Sequence, residues 1–343
     1  MKQNKLLLCS LFAAALLFGC QSKQAKKIET QQTGSKLKIE IIDSEALSIL
    51  DSTATIEVIG SGFKWTEGPL YIRDGDYLIF SDIPDNKIYK WKEGEALTTY
   101  LTPSGNTGPP KRIKEPGSNG LLLHPDGHLV LCQHGDRRLA KMISPVNNPA
   151  PQFVTLADNY KGKRLNSPND AVYHPDGDLY FTDPPYGLGE GIKDSTKELD
   201  FQGVYRLKPG GQLDLLTKDL MYPNGIALSP DSKYLYVASS DFANYIWMQY
   251  ELDSNGLVKS QRIFYQVHAY EGKNLGAPDG MKINRKGYIF ATGPEGVWLF
   301  NPGGKLIARL YTGQLTSNCA FSTDERVLFM TCDDYVMRLK LKK

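Results

Sequence analysis

Residues 169–181 read NDAVYHPDGDLYF. An amide and an acid open the stretch, a short apolar run follows, Pro-Asp-Gly turns the chain, and a second apolar, aromatic run leads away. Two such runs flanking an Asp-Gly step make a β-hairpin. The same figure stands upstream as Asn119-Gly120 followed by LLLHPDGHLVL, and downstream as Asn224-Gly225 followed by IALSPDSKYLYV. Its opening residue recurs six times, at Glu67, Asn119, Asn169, Asn224, Asp279 and Asn318, with separations of 52, 50, 55, 55 and 39 residues. Asp stands seven positions after four of these markers (Asp74, Asp126, Asp176, Asp231), and Gly follows it in three, as a tight hairpin turn requires.

Between the hairpins lie further strand-like runs, such as KIYKWKEG, GVYRLKPGGQLDLLTKDL and GVWLFNPGGKLIARLYTG. Four short strands in each repeat of about fifty residues is the pattern of a propeller blade. The expected fold is therefore all-β, a six-bladed β-propeller over residues 38–343. A solenoid of this period would need capping repeats and would leave the markers in a row, whereas a closed ring aims them at one axis. The last unit has room for only three strands, and TIEVIGSGF at residues 55–63 precedes the first marker with no blade of its own. This N-terminal strand is expected to complete the last blade and remove two exposed edges.

Composition agrees. The 343 residues are 41% hydrophobic and 23% charged, enough to bury a substantial core, and 32 Gly, 20 Pro and 19 Tyr fit many short strands joined by turns. Lys and Arg number 40 against 38 Asp and Glu, a balance that gives no electrostatic reason to expect nucleic acid as a partner.

The N-terminus reads separately. Lys2 and Lys5 precede an apolar run from Leu6 to Phe18, too short to span a bilayer and followed by a small residue, as in a secretory signal. Leu17-Phe18-Gly19-Cys20 resembles the bacterial lipobox, which implies cleavage after residue 19, lipidation of Cys20 and a place in the cell envelope held by that anchor alone. Residues 20–37 are polar and read as a flexible tether. Cys132, Cys319 and Cys332 do not make a disulfide framework and are expected as buried free thiols, a Cys319–Cys332 bridge being left open by their neighbouring strands.

If each marker begins the innermost strand of its blade, six oxygen-bearing side chains meet at one mouth of the tunnel. Two carboxylates and several amide carbonyls suit a hard divalent cation, and without one the two acids would repel in a partly dry site. Each marker alone is an ordinary turn residue; recurrence in register is what points to a metal site.

The stretches TEGPL, SPNDAVYHPDGDLYFTDPPYG, YPNGIALSPDSKYLYVAS and APDGMKINRKGYIFATG resemble those of the gluconolactonase and senescence-marker-protein-30 family of six-bladed propellers, over roughly residues 56–340. The resemblance implies one catalytic divalent ion held by Glu67, Asn169, Asn224 and Asp279, Ca²⁺ foremost, with Mg²⁺, Mn²⁺ and Zn²⁺ left open. It implies hydrolysis of a small sugar lactone with Asp279 as general base, although related phosphotriesterase-like propellers leave attack by that Asp open. No Ser-His-Asp or Cys-His spacing offers another nucleophile. Asn119 and Asn318 are candidates for the rim or for a place behind the ligands, Asn119 being expected to contact substrate. His134, Arg137 and Tyr186 follow second strands and so return toward the mouth, where they are expected to contact substrate. His124 and His174, each before Pro-Asp-Gly, are expected to be structural, and His128 exposed. Two other readings stay open: a propeller that binds a ligand or protein without chemistry, and a related arylesterase or phosphotriesterase-like hydrolase.

Overall fold

The computed structural model describes residues 37–109, 113–267 and 276–342. The signal, Cys20 and all of the tether except Leu37 lie outside the described residues. Six antiparallel sheets form the blades, beside a two-stranded ribbon of Asn159–Tyr160 and Lys163–Arg164, and within each blade the strands run in sequence from inside to outside apart from the N-terminal strands added to blades 5 and 6. Blade 1 holds Thr66–Ile72, Tyr77–Asp82, Lys87–Trp91 and Thr98–Leu101. Blade 2 holds Ser118–Leu123, Leu129–Gln133, Arg138–Met142 and Phe153–Ala157. Blade 3 begins with the short strand Ala171–Tyr173 and continues with Leu179–Asp183, Gly203–Leu207 and Leu213–Thr217. Blade 4 holds Pro223–Leu228, Tyr234–Ser239, Ile246–Leu252 and Val258–Gln266.

Blade 5 holds Met281–Ile283, Ile289–Gly293, Gly296–Phe300 and Leu306–Tyr311, and takes Lys38–Ile41 as a fifth, outer strand. Blade 6 holds Thr316–Phe321, Val327–Cys332 and Tyr335–Lys340. Its fourth strand is Glu57–Ser61, paired with the C-terminal strand from Glu57↔Arg338 to Ser61↔Tyr335. The expected N-terminal closure is therefore present. The fifth strand of blade 5 was not expected.

Each second strand is sandwiched between neighbouring blades, which is why runs such as Leu129–Gln133 and Leu179–Asp183 are buried at every position instead of alternating. Six apolar clusters fill the interfaces between blades; between blades 2 and 3, Val130, Cys132 and Leu139 meet Leu179, Phe181 and Tyr205. Cys132, Cys319 and Cys332 are buried free thiols in these layers.

The Pro-Asp-Gly hairpins differ in detail from the two-residue Asp-Gly turn expected. His124 closes a first turn by accepting from Gly127 N at 2.8 Å, and its own N–H donates to His128 O at 2.9 Å. Gly127, at φ 86°, thus supplies the left-handed step of a three-residue loop. His124 and His174 pack on Tyr173 and Tyr180 beside their own turns, in the structural role expected, while His128 is half-buried against Asp126.

Candidate active site

The markers reach the axis because the inner strands are irregular at their starts. Register shifts fall between Glu67 and Leu70, Ser118 and Leu121, Pro223 and Ile226, and Thr316 and Asn318; Asn119 and Asn224 stand outside the ladder, while Glu67 pairs with Ser81 and Asn318 with Thr331 at the edge of the irregularity. In blades 3 and 5, Asn169 and Asp279 precede the strand by two residues. The residue after the marker is Gly in four blades, where the next blade leaves no room for a side chain. A Cβ on Gly68 would lie 2.1 Å from Asn119 O, and on Gly225 2.2 Å from Asp279 O. Those glycines serve close approach between blades. Hydroxyls tie the same layer together: Ser81 donates to Asn119 O at 2.9 Å, Thr182 to Asn224 O at 2.7 Å and Ser317 to Thr66 O at 2.7 Å.

At the mouth, Glu67, Asn119, Asn169, Asn224, Asp279 and Tyr186 line a single cavity of about 330 Å³. Asn119 Oδ1, Asn224 Oδ1 and Asp279 Oδ1 are buried without a hydrogen-bond partner among the described residues. For Asn224 the amide orientation has a cause. Ser240 Oγ gives its hydrogen to Pro278 O at 2.6 Å, so it accepts from Asn224 Nδ2 at 2.9 Å, and Asn224 Oδ1 is left for the cavity. The Tyr186 ring stacks on Tyr222 with centroids 5.9 Å apart.

Burial pushes the Glu67 carboxyl up to about 8, with repulsion from Asp170 and Glu115 adding to it and the Gly68 N–H opposing it. Burial, then Glu67, then Asp170 and Glu115 hold Asp279 well above the usual carboxylate range. Two acids that resist ionisation and two unpartnered amide oxygens are a donor set that a hard divalent cation fits. Among the described residues no group of three or more His, Cys, Asp or Glu is arranged to hold a metal, in keeping with a site half made of amides.

Asn318 lies beneath this layer instead of lining the cavity, with its Nδ2 3.4 Å from both Glu67 Oε2 and Asp170 Oδ2. Lys282 Nζ approaches Asn318 Oδ1 at 3.4 Å and Asp170 Oδ2 at 3.9 Å, placing a cation under the acids. His134 and Arg137, expected as substrate contacts, do not line the cavity. His134 is fully buried with Nδ1 3.0 Å from Glu115 Oε2. Arg137 donates from Nε to Leu165 O at 2.8 Å and from Nη1 to Thr196 O at 2.9 Å, which pins the chain around blade 3.

Glu115, Asp170, Lys282 and Asp183 escaped the sequence reading. Asp183 accepts from Asn166 N and Ser167 N, both at 2.8 Å, and so holds the segment that delivers Asn169; burial raises its carboxyl to about 7 despite those bonds. Asp82 accepts similarly from Lys64 N and Trp65 N in blade 1. The signal was the shared placing of Asp82 in LIFSD and Asp183 in LYFTD.

The profile of the SMP-30/gluconolactonase/LRE-like region matches residues 65–333, a span that runs from just before Glu67 to the end of the blade 6 hairpin. The chain belongs to the SMP-30/gluconolactonase/LRE-like family. Within this family, a gluconolactonase of Zymomonas mobilis is 39% identical over 343 aligned residues, covering 98% of this chain and 94% of that protein. Among solved structures, a gluconolactonase of Xanthomonas campestris is 28% identical and superposes with a TM-score of 0.76 over 89% of this chain and 95% of its own. A calcium-binding regucalcin of Agrobacterium tumefaciens, 18% identical with a TM-score of 0.65 over 84% of this chain and 95% of its own, shares the fold.

Proposed function

We propose that the chain is a gluconolactonase-like carboxylic ester hydrolase that opens a sugar lactone, with one divalent cation held by Glu67, Asn169, Asn224 and Asp279. The observation that carries this reading is the meeting of unpartnered oxygens from Asn119, Asn224 and Asp279 with the Glu67 carboxyl in one small cavity. Membership of a family whose Zymomonas mobilis relative is a gluconolactonase supports the substrate class.

Opening a lactone requires carbonyl polarisation, an activated water and charge uptake by the departing ring oxygen. A bound divalent cation, Ca²⁺ foremost, supplies Lewis acidity toward the carbonyl and lowers the pKa of water. The chain's residues do the rest. Glu67 and Asp279 bring the negative charge that offsets the cation. Asn224, locked by Ser240, offers an oxygen and no proton. Asp279, the short carboxylate among the residues that would hold the cation, is the group that would accept the proton of the attacking water as general base. Asn119 and Tyr186 face the same space, Asn119 offering an acceptor and the Tyr186 ring a face for the sugar.

A panel of lactones, aryl esters and organophosphates, assayed on metal-stripped and reconstituted protein, tests the reading. Lactone turnover should vanish on stripping and return with one bound ion per chain. An inert panel with metal bound would leave a propeller that only binds, and preference for the phosphate or aryl ester would change the substrate class.

We also place the protein in the bacterial envelope through lipidated Cys20. Cys20→Ser should move it from the membrane fraction to the soluble fraction; unchanged membrane association contradicts the anchor.

A further inference from the structure

Glu115 is a carboxylate in the cavity wall with no part in the donor set just described. It stands four residues before Asn119, on the segment leading into blade 2, and lines the cavity together with Glu67 and Asp279. Its side chain keeps 28% of its surface exposed, whereas the His134 ring bonded to it keeps none. A carboxylate only accepts hydrogen bonds, so His134 Nδ1 carries the hydrogen in this 3.0 Å contact and fixes Oε2. Glu115 Oε1 makes no hydrogen bond among the described residues.

The pair is built into a rigid frame. His134 N donates to Gly117 O at 3.1 Å, and Gly117 N to Ile83 O at 2.9 Å. A Cβ on Gly117 would lie 2.6 Å from Ile83 O, one on Gly135 2.3 Å from Pro116 O, and one on Gly187 2.7 Å from His134 Cβ. Three segments are thus stacked without space for side chains, which leaves Glu115 little freedom to move.

Its charge works against the other acids of the cavity. Glu115 is among the groups that hinder ionisation of Glu67 and Asp279. A histidine in need of a purely structural acceptor would be served by a backbone carbonyl, without a third acid beside two others. A fixed carboxylate oxygen facing a wet cavity is suited to accept from hydroxyl groups, and one that adds a polar acceptor away from the reacting carbonyl sets specificity more than rate.

The geometry points to Glu115, oriented by His134, as the residue that recognises the hydroxyl groups of a polyhydroxylated lactone and discriminates it from an unsubstituted one. This inference rests on the lactonase reading. Glu115 is the contact residue and His134 a positioning residue.

The test compares glucono-δ-lactone with δ-valerolactone on metal-reconstituted protein. Glu115→Gln keeps the shape and removes the charge. It should lower kcat/KM for the hydroxylated lactone by about ten- to a hundredfold, mostly through KM, and lower that for δ-valerolactone by less than about threefold. His134→Leu should reproduce that loss of selectivity, and His134→Asn, which retains an N–H near Nδ1, should restore most of it, with melting temperatures reporting that each variant folds. Equal losses on both lactones, or undiminished selectivity in Glu115→Gln, overturns the assignment while the lactonase reading stands. Wild-type protein that opens neither lactone sinks both.

Discussion

Glu67 and Asp279 line one cavity in which burial and neighbouring acids hinder the ionisation of both, and this has a consequence for stability. Burial pushes the folded Glu67 carboxyl up to about 8 from an ordinary 4.5, so across that window the metal-free fold binds a proton more tightly than the unfolded chain does. Its contribution to stability is full below 4.5 and is lost as pH rises through 8. Calorimetry on chelator-treated protein should show Tm falling across this range, and added Ca²⁺ should raise Tm more at the alkaline end; a pH-independent Tm would contradict the pairing. Asp279→Asn should cut lactone turnover by at least about a thousandfold while raising the Tm of the metal-free protein above neutral pH, because one of the repelling charges is gone. A variant with near-native turnover would remove the proposed base. At this scale the sequence was legible where residues recur in register: Glu67, Asn119, Asn169, Asn224 and Asp279 share the cavity. It misled at His134 and Arg137, because following a second strand says which end of a blade a side chain occupies but not whether it faces the tunnel or the neighbouring blade. Glu115 has no counterpart in the repeat, so periodicity could not single it out.

The blade is held in place by small devices at its inner corner. Gly225 separates the starts of blades 4 and 5, and Gly225→Ala would drive a Cβ to within 2.2 Å of Asp279 O. Moving that carbonyl moves Asp279 as well, so the substitution should destabilise by about 3 kcal/mol or more and weaken cation binding in titration calorimetry. Unaltered affinity would mean the site does not depend on that spacing. Asp183→Ala leaves Asn166 N and Ser167 N without their acceptor and should cost about 2–4 kcal/mol in denaturant unfolding. The hairpins were readable from spacing and Pro-Asp-Gly, though the turn is wider than the dipeptide alone implies. The strand Lys38–Ile41 was not readable, since four residues added to an outer edge carry no period of their own.

Across the whole molecule, the segment from Lys38 to Ser61 straps blades 5 and 6. Between its two strands a 3₁₀ turn, Ser44–Ser48, is followed by Ile49 and Leu50, which with Ala46 are buried in the layer those blades share, and Glu45 accepts from Tyr288 at 3.0 Å and Asn301 at 2.8 Å. A chain beginning at Gly62 loses both strands and the turn and bares the edge of Tyr335–Lys340. It should melt well below a chain beginning at Leu37 and aggregate on heating, as light scattering would report. Equal melting of the two would deny the strap its role.

Because Glu57 pairs with Arg338, this strand is made 281 residues before its partner. The contacts that finish this molecule are thus among its most distant in sequence, which makes completion slow, although closing so long a loop adds entropy only logarithmically with its length. A growing chain can stack blades one after another, but blade 6 cannot lock until Tyr335–Lys340 has been made.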